Sequence, residues 1–292
     1  MDQAQNLRNI IKKQNTKTIT NARVIAVTSG KGGVGKSSIS INLALALTEL
    51  GKKVIILDAD FGLANVEVMF GVIPKNNLGD LIFKGMNIKD IIVEGPRGVD
   101  FISGGSGIAK LVNLEKEQVK RLVGKLSELE EIADVIIIDT GAGIHPAVME
   151  FLISSPETIV VTTPEPTSIT DSYALLKALS LNEGFDKENT KIKMIANRVA
   201  SENEGVNLHE KLSAVVGRFL EIDIEYMGIV PQDSYIQKAI MKQKPVYIMY
   251  PNAPASKRFK EIAENIVNNE EITIKTKGIR SYFKSVFTRK RG

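Results

Sequence analysis

Gly30-Lys31-Gly32-Gly33-Val34-Gly35-Lys36-Ser37 follows the apolar run Val24-Ile25-Ala26-Val27 and precedes a helix-like run from Ile39 to Leu50. The octet satisfies the pattern G-x-x-x-x-G-K-[ST] in the strand–loop–helix context that the pattern requires. Glycines at 30, 32, 33 and 35 let the backbone curl so that its N–H groups face one point. The positive end of the following helix adds to the field there, and such a nest holds phosphate oxygens. Lys36 is the candidate to reach the β and γ phosphates of a nucleotide, and the Ser37 hydroxyl to ligate Mg²⁺. Val34 and Ser38 complete the cradle. Lys31 is a second lysine, one the general pattern does not ask for.

Outward from the octet, short apolar runs alternate with helical patterns. Candidate strands are 24–28, 53–57, 99–102, 135–138, 158–161, 192–196 and 226–230; amphipathic segments include 115–129, 168–181 and 208–220. Continuous apolar strands joined by helices imply a parallel sheet covered on both faces. The expected fold is therefore an α/β, doubly wound, mostly parallel sheet in one domain over residues 23–270. Ligands in such folds sit at the carboxyl ends of the strands. Residues 1–22 and 271–292 fall outside the alternation and form two flanking segments.

Composition removes several classes. The chain of 292 residues has no cysteine, which excludes disulfides, thiolate zinc sites and cysteine-ligated iron–sulfur clusters. No apolar run approaches the roughly 18 residues of a spanning helix, and the first residues contain no secretory apolar region. The net charge of +4 is unevenly placed: residues 275–292 hold seven basic and no acidic side chains, and residues 1–23 hold five basic and one acidic. The two ends exceed the excess of the whole chain, so the body between them is acidic. A nucleic-acid binder more often carries its basic charge on the folded surface, so no nucleic-acid partner is expected.

Two further strands end in aspartates. Ile55-Ile56-Leu57-Asp58-Ala59-Asp60 closes one, and Ile136-Ile137-Ile138-Asp139-Thr140 closes the other. An apolar run ending in aspartate brings a carboxylate to the metal. Gly141-Ala142-Gly143 then supplies a loop able to sense the γ-phosphate. Together these motifs resemble the MinD/ParA family of deviant Walker-A ATPases over roughly residues 22–270. The resemblance implies ATP/ADP and Mg²⁺ as cofactors, an ATP-dependent homodimer, and Lys31 as the signature lysine that reaches the partner's phosphates. It implies Asp60 as the residue positioning the attacking water, with Asp58 supporting the Mg²⁺ shell and Asp139 beside the metal. Asn197-Arg198 resembles the pair that recognises adenine, and Pro231-Gln232-Asp233 the second base-binding segment. Thr140-Gly141 departs mildly from the relatives that carry Ser-Pro or Cys-Pro there. On the segment 166–173, Asp171, and further along the same helix Lys177, are candidate regulator contacts.

The two ends carry the remaining expectations. Ile279, Tyr282, Phe283, Val286 and Phe287 recur at i, i+3, i+4, i+7 and i+8, one stripe of a helix. Arg280 and Lys284 flank it, with three more basic residues at the terminus. An aromatic stripe with a basic face is the pattern of a helix lying in an anionic membrane interface, and two such helices on one dimer bind cooperatively. The N-terminal Asp-Gln-Ala-x-x-Leu-Arg, with Gln3, Leu7 and Arg8, resembles the activator motif of the flagellar (FlhG or YlxH) group. In that group the motif stimulates FlhF, a signal-recognition-particle-type GTPase. The reading is a Mg²⁺-dependent ATPase switch in the cytoplasm, reversibly bound at the inner face of the membrane. It would control flagellar number or placement, with flagellar switch-complex proteins as further partners. A MinD-type division-site regulator and a ParA-type DNA-partition ATPase are the alternatives; the leader at 2–11 disfavours the first and the acidic body the second.

Overall fold

The computed structural model describes residues 22–62, 64–105 and 116–268. Gln3, Leu7 and Arg8, and the stripe Ile279, Arg280, Tyr282, Phe283, Lys284, Val286 and Phe287, lie outside the described residues. So do most of the two flanking segments.

Eight strands among the described residues form one sheet: β1 Arg23–Thr28, β2 Val54–Ala59, β3 Val93–Glu94, β4 Asp100–Ile102, β5 Val135–Thr140, β6 Glu157–Thr162, β7 Lys191–Val199 and β8 Ile224–Pro231. Their order is β3-β4-β2-β5-β1-β6-β7-β8. All neighbours are parallel except β3, which runs antiparallel to β4. The winding reverses around β1, so the loop after β1 opens at a topological switch point. On β1, Ile25 and Val27 enter one core while Val24 and Ala26 enter the other. Neither face meets water, which is why these strands read as unbroken apolar runs.

Ten α-helices among the described residues cover the sheet: α1 Lys36–Glu49, α2 Asn65–Phe70, α3 Leu78–Phe83, α4 Lys116–Leu126, α5 Pro146–Ser154, α6 Pro166–Ser180, α7 Glu202–Leu220, α8 Ser234–Met241, α9 Val246–Met249 and α10 Pro254–Asn268. Helices α4 to α7 pack on one face, and α1 with α10 on the other. Helix α1 is apolar nearly all round, from Ile39 to Leu47, because it is sandwiched between the sheet and α10. Strands β2 and β5 run two residues beyond the apolar runs, so Asp58 and Asp139 lie inside strands and not in the loops after them. No helix among the described residues is long and apolar enough to cross a membrane.

At the amino ends of β1, β6 and β7, three charged side chains are buried together. Arg23 grips Glu157 with two hydrogen bonds of 2.7 and 2.8 Å, and Lys193 lies 3.0 Å from the same carboxylate. Arg23 also donates to the carbonyl of Ile266, which ties the start of β1 to the last turn of α10. Burial pushes the Glu157 carboxyl up, but Arg23 and Lys193 outweigh it and hold it below the ordinary glutamate range. Its stabilisation is complete above that ordinary range and is lost as pH falls through the depressed value. Glu157→Gln leaves two buried cations facing a neutral amide and is expected to cost about 3 kcal/mol. Urea denaturation from about pH 3 to 7 should show the acid limb of stability flattened in the variant; an unchanged limb would contradict the ion cluster.

Candidate nucleotide site

Helix α1 begins without a side-chain cap and with no acidic residue in its first turn. Some other helices are capped: Ser201 accepts from Glu204 N–H at α7, and Asn77 with Asp80 forms a capping box at α3. The uncapped N–H groups of α1, together with those of the 30–37 loop, are donors that an anion satisfies. The loop is held from beneath. A Cβ at Gly30 would fall 2.1 Å from the backbone of Asp171 on α6, so only glycine allows this approach. That places Asp171 against the loop through its main chain, while Lys177 is exposed further along α6.

Asp58 on β2 and Asp139 on β5 are register partners on adjacent strands, and both are fully buried. The carboxylate of Asp58 accepts the backbone N–H groups of Asp60 (3.2 Å) and Val66 (3.1 Å), which fixes the turn between β2 and α2. It is thus placed to support the site through the backbone. Burial, then the charge of Asp139, pushes its pKa well up. Asp139 accepts from Ser40 Oγ at 3.0 Å through one oxygen; the other is buried with no hydrogen-bond partner among the described residues. Burial raises the Asp139 pKa to about 6, against the pull of neighbouring Ser37, Lys36 and Ser40. Lys36 is itself buried, and burial lowers its pKa against the opposing charges of Asp139 and Asp60.

An unsatisfied buried carboxylate oxygen beside the Ser37 hydroxyl and an anion nest is a donor set suited to Mg²⁺. That ion takes one or two carboxylates plus substrate phosphates and water, not an all-protein cage. No cluster of three or more histidine or carboxylate side chains able to hold a metal occurs among the described residues.

Asp60 stands between the two loops expected to move. Asn65 Nδ2 approaches its carboxylate at 3.4 Å, and a Cβ on Gly141 would lie 3.8 Å from it. Phe61, just beyond, packs edge-on against Phe151 of α5 at 6.1 Å. Thr140 Oγ1 donates to the Val27 carbonyl, and Gly143 N–H to the Ser29 carbonyl, so the second loop is stitched to the first. His145, exposed at the start of α5, makes no side-chain cap there.

Lys31 turns away from its own loop. Its ammonium donates to Glu165 (2.7 Å) and Thr167 (3.0 Å) at the beginning of α6. Lys31, through hydrogen bond and charge, holds the Glu165 carboxyl below its usual range. Both partners are well exposed, and such pairs contribute little to stability, so the lysine is held but not locked. Nothing in the sequence marks Glu165 or Thr167 as partners of Lys31, which lies more than 130 residues away.

Beside the loop, a cavity of about 560 Å³ opens between β7, β8 and α8. Asn197, Arg198, Pro231, Gln232 and Asp233 all line it, with Phe259 at its wall. The Asp233 carboxylate is occupied: its oxygens accept the N–H groups of Tyr235 (2.8 Å) and Ala255 (3.1 Å), joining α8 to α10. It shapes the cavity by capping two helices. Thr163, which the motifs did not mark, lines the same cavity with its buried hydroxyl unpartnered among the described residues.

A glycine loop on an uncapped helix, a second lysine and two aspartate-bearing strands at one switch point define a deviant Walker-A nucleotide-binding protein. The family model described as the CobQ/CobB/MinD/ParA nucleotide binding domain matches residues 25–246. The antiactivator FleN of Pseudomonas aeruginosa is 43% identical over 244 residues, covering 84% of this chain and 86% of FleN. The flagellum site-determining protein YlxH of Helicobacter pylori is 35% identical over 293 residues, covering 97% of each. Among solved structures, the cell division ATPase MinD of Pyrococcus furiosus superposes with a TM-score of 0.70 at 25% identity, covering 85% of this chain and 99% of that one. The chain therefore belongs to the MinD/ParA family, as a MinD-like ATPase similar to the antiactivator FleN and the flagellum site-determining protein YlxH.

Asp139→Asn removes a buried charge and the unsatisfied oxygen together. The nucleotide-free variant is expected to melt no lower than wild type, and to lose the magnesium-dependent gain in nucleotide affinity. In wild type that gain should fall as pH drops through about 6, because the proton on Asp139 competes with the ion. Titration calorimetry at several pH values, with and without magnesium, checks both.

Proposed function

We propose that this chain is an ATP-driven switch controlling the number or placement of flagella, completed only when two copies meet. The observation that carries this reading is the position of Lys31, bound to Glu165 and Thr167 and not in its own phosphate cradle. In the proposed dimer each Lys31 leaves that exposed pair and meets the charge developing on the partner's γ-phosphate, as an arginine finger does. Gly30 to Ser38 hold the polyphosphate, with Lys36 at its β and γ groups. Ser37 and Asp139 would hold Mg²⁺, which would neutralise phosphate charge when bound. Asp60 orients a water toward the γ-phosphorus. Water's oxygen bonds to phosphorus, the bond to the β–γ bridging oxygen breaks, and ADP and phosphate leave. The cavity lined by Pro231, Gln232 and Thr163 takes the adenine.

The output follows from the ends. In this reading the stripe Ile279–Phe287, with Arg280 and Lys284, lies in an anionic membrane surface when two copies are joined. Gln3, Leu7 and Arg8 engage the GTPase FlhF, while Asp171 and Lys177 border a regulator surface on α6. Flagellar switch-complex proteins are further partners, and the protein cycles between cytoplasm and membrane. The match to YlxH over nearly the whole of both chains supports including the ends in that role.

The test uses Asp60→Ala in the full chain. With ATP it is expected to persist as a dimer in light scattering, to hydrolyse at least tenfold more slowly, and to sediment with phosphatidylglycerol vesicles. The same variant ending at residue 271 should dimerise but stay in the supernatant. A monomeric Asp60→Ala protein with wild-type turnover would overturn the switch.

A further inference from the structure

Asn197 and Arg198 close β7 and line the cavity expected to take the base, yet their side chains are committed to the phosphate loop. Asn197 Nδ2 donates to the Val34 carbonyl at 2.6 Å, and the Arg198 guanidinium donates to the Gly33 carbonyl at 2.7 Å. These are consecutive carbonyls of the loop, gripped by consecutive residues of one strand. In a trans peptide the C=O and the N–H of the next residue point in opposite directions, and the described chain has no cis bond. The Gly33 carbonyl shares its peptide with the Val34 N–H, and the Val34 carbonyl shares its peptide with the Gly35 N–H. Drawing both oxygens toward β7 therefore turns both N–H groups away from β7.

Two observations show that the grip is built. Arg198 has φ of +59°, in the left-handed region that non-glycine residues seldom occupy. It is kept there while its own N–H donates to Asn197 Oδ1 at 2.9 Å. On the loop side, Gly35 has φ of +98°, and a Cβ there would stand 2.5 Å from Asn197 Nδ2. The buried amide fills the space that any other side chain at 35 would need.

We propose that Asn197 and Arg198 are positioning residues for the polyphosphate: they orient the Val34 and Gly35 N–H groups as an anion nest. Through them, a base settling in the cavity and phosphates settling in the loop act on the same two side chains. The inference rests on the reading of residues 30–37 as a polyphosphate cradle. Its distinctive consequence is that removing a side chain that faces the base cavity weakens a ligand that has no base.

Pyrophosphate, ADP and adenosine are titrated into the full-length wild type, Arg198→Gly and Asn197→Asp. Glycine adopts φ of +59° freely, so Arg198→Gly keeps the backbone, and Asn197→Asp keeps the shape while losing the donor. Thermal melts confirm folding, and either variant alone suffices. The expected result is a loss of about tenfold in pyrophosphate and ADP affinity, with a clearly smaller loss for adenosine. Wild-type affinity for pyrophosphate in a folded variant overturns the clamp, as does an adenosine loss equal to that of pyrophosphate. A wild type that binds neither pyrophosphate nor ADP overturns the cradle itself, a separate and recognisable failure.

Discussion

Asp139 carries a buried carboxylate oxygen that no group among the described residues satisfies, and α1, whose Ser40 donates to the other oxygen, begins with no cap on its N–H groups. A folded protein rarely leaves such groups unmet. Here an acceptor and several donors of opposite sense converge at one switch point, with Lys36 between them and Asp58 beside Asp139. Neither half is comfortable alone: two buried carboxylates in register repel, and a buried lysine is drawn toward neutrality by burial. A magnesium nucleotide answers both, since its phosphates meet the donors and its cation meets the carboxylate. The sheet order, the length of β2 and β5 and the burial of α1 all act to hold this mismatch in place.

Change at that point has a short route outward. Asp60 lies between Asn65 and Gly141, Phe61 leans on Phe151, and the loop after β5 is bonded to Val27 and Ser29 at the root of the phosphate loop. Whatever moves one loop therefore loads the other. Helix α1, running from the cradle, packs on α10. The last turn of α10 is tied by Arg23 to the start of β1. Ala22 and Asn268 thus lie near each other, at the pole opposite the cradle.

Much of this was legible wherever the chemistry is contiguous in the chain. The octet, Asp58, Asp60 and Asp139 are read from neighbours a few residues apart, and seven of the eight strands show as apolar runs because both faces of the sheet are dry. Strand β3, only Val93–Glu94 and antiparallel at an edge, is too short to leave a pattern. Helix α5 is apolar on nearly all sides, so no helical stripe marks it, although Phe259, Ile262, Ala263 and Ile266 do carry one for α10. The contacts that the sequence does not show are those whose partners come from far away. Asp233 caps α10 through Ala255 as well as α8, Asn197 reaches Val34, and Lys31 rests on Glu165. No local motif records any of these, since each depends on how the sheet brings distant loops together.

In the proposed switch, one chain holds an incomplete site which a second chain finishes with Lys31. Mixing two inactive variants, Lys31→Ala and Asp60→Ala, tests it directly. In a mixed dimer the Lys31→Ala chain keeps Asp60 and receives an intact Lys31 from its partner, so one competent site per dimer is restored. ATP hydrolysis, near zero for either variant alone, should rise on mixing toward roughly a quarter of the wild-type rate for random pairing. If the mixture stays as inactive as its components while mixed dimers form, Lys31 serves its own nucleotide and the account is wrong.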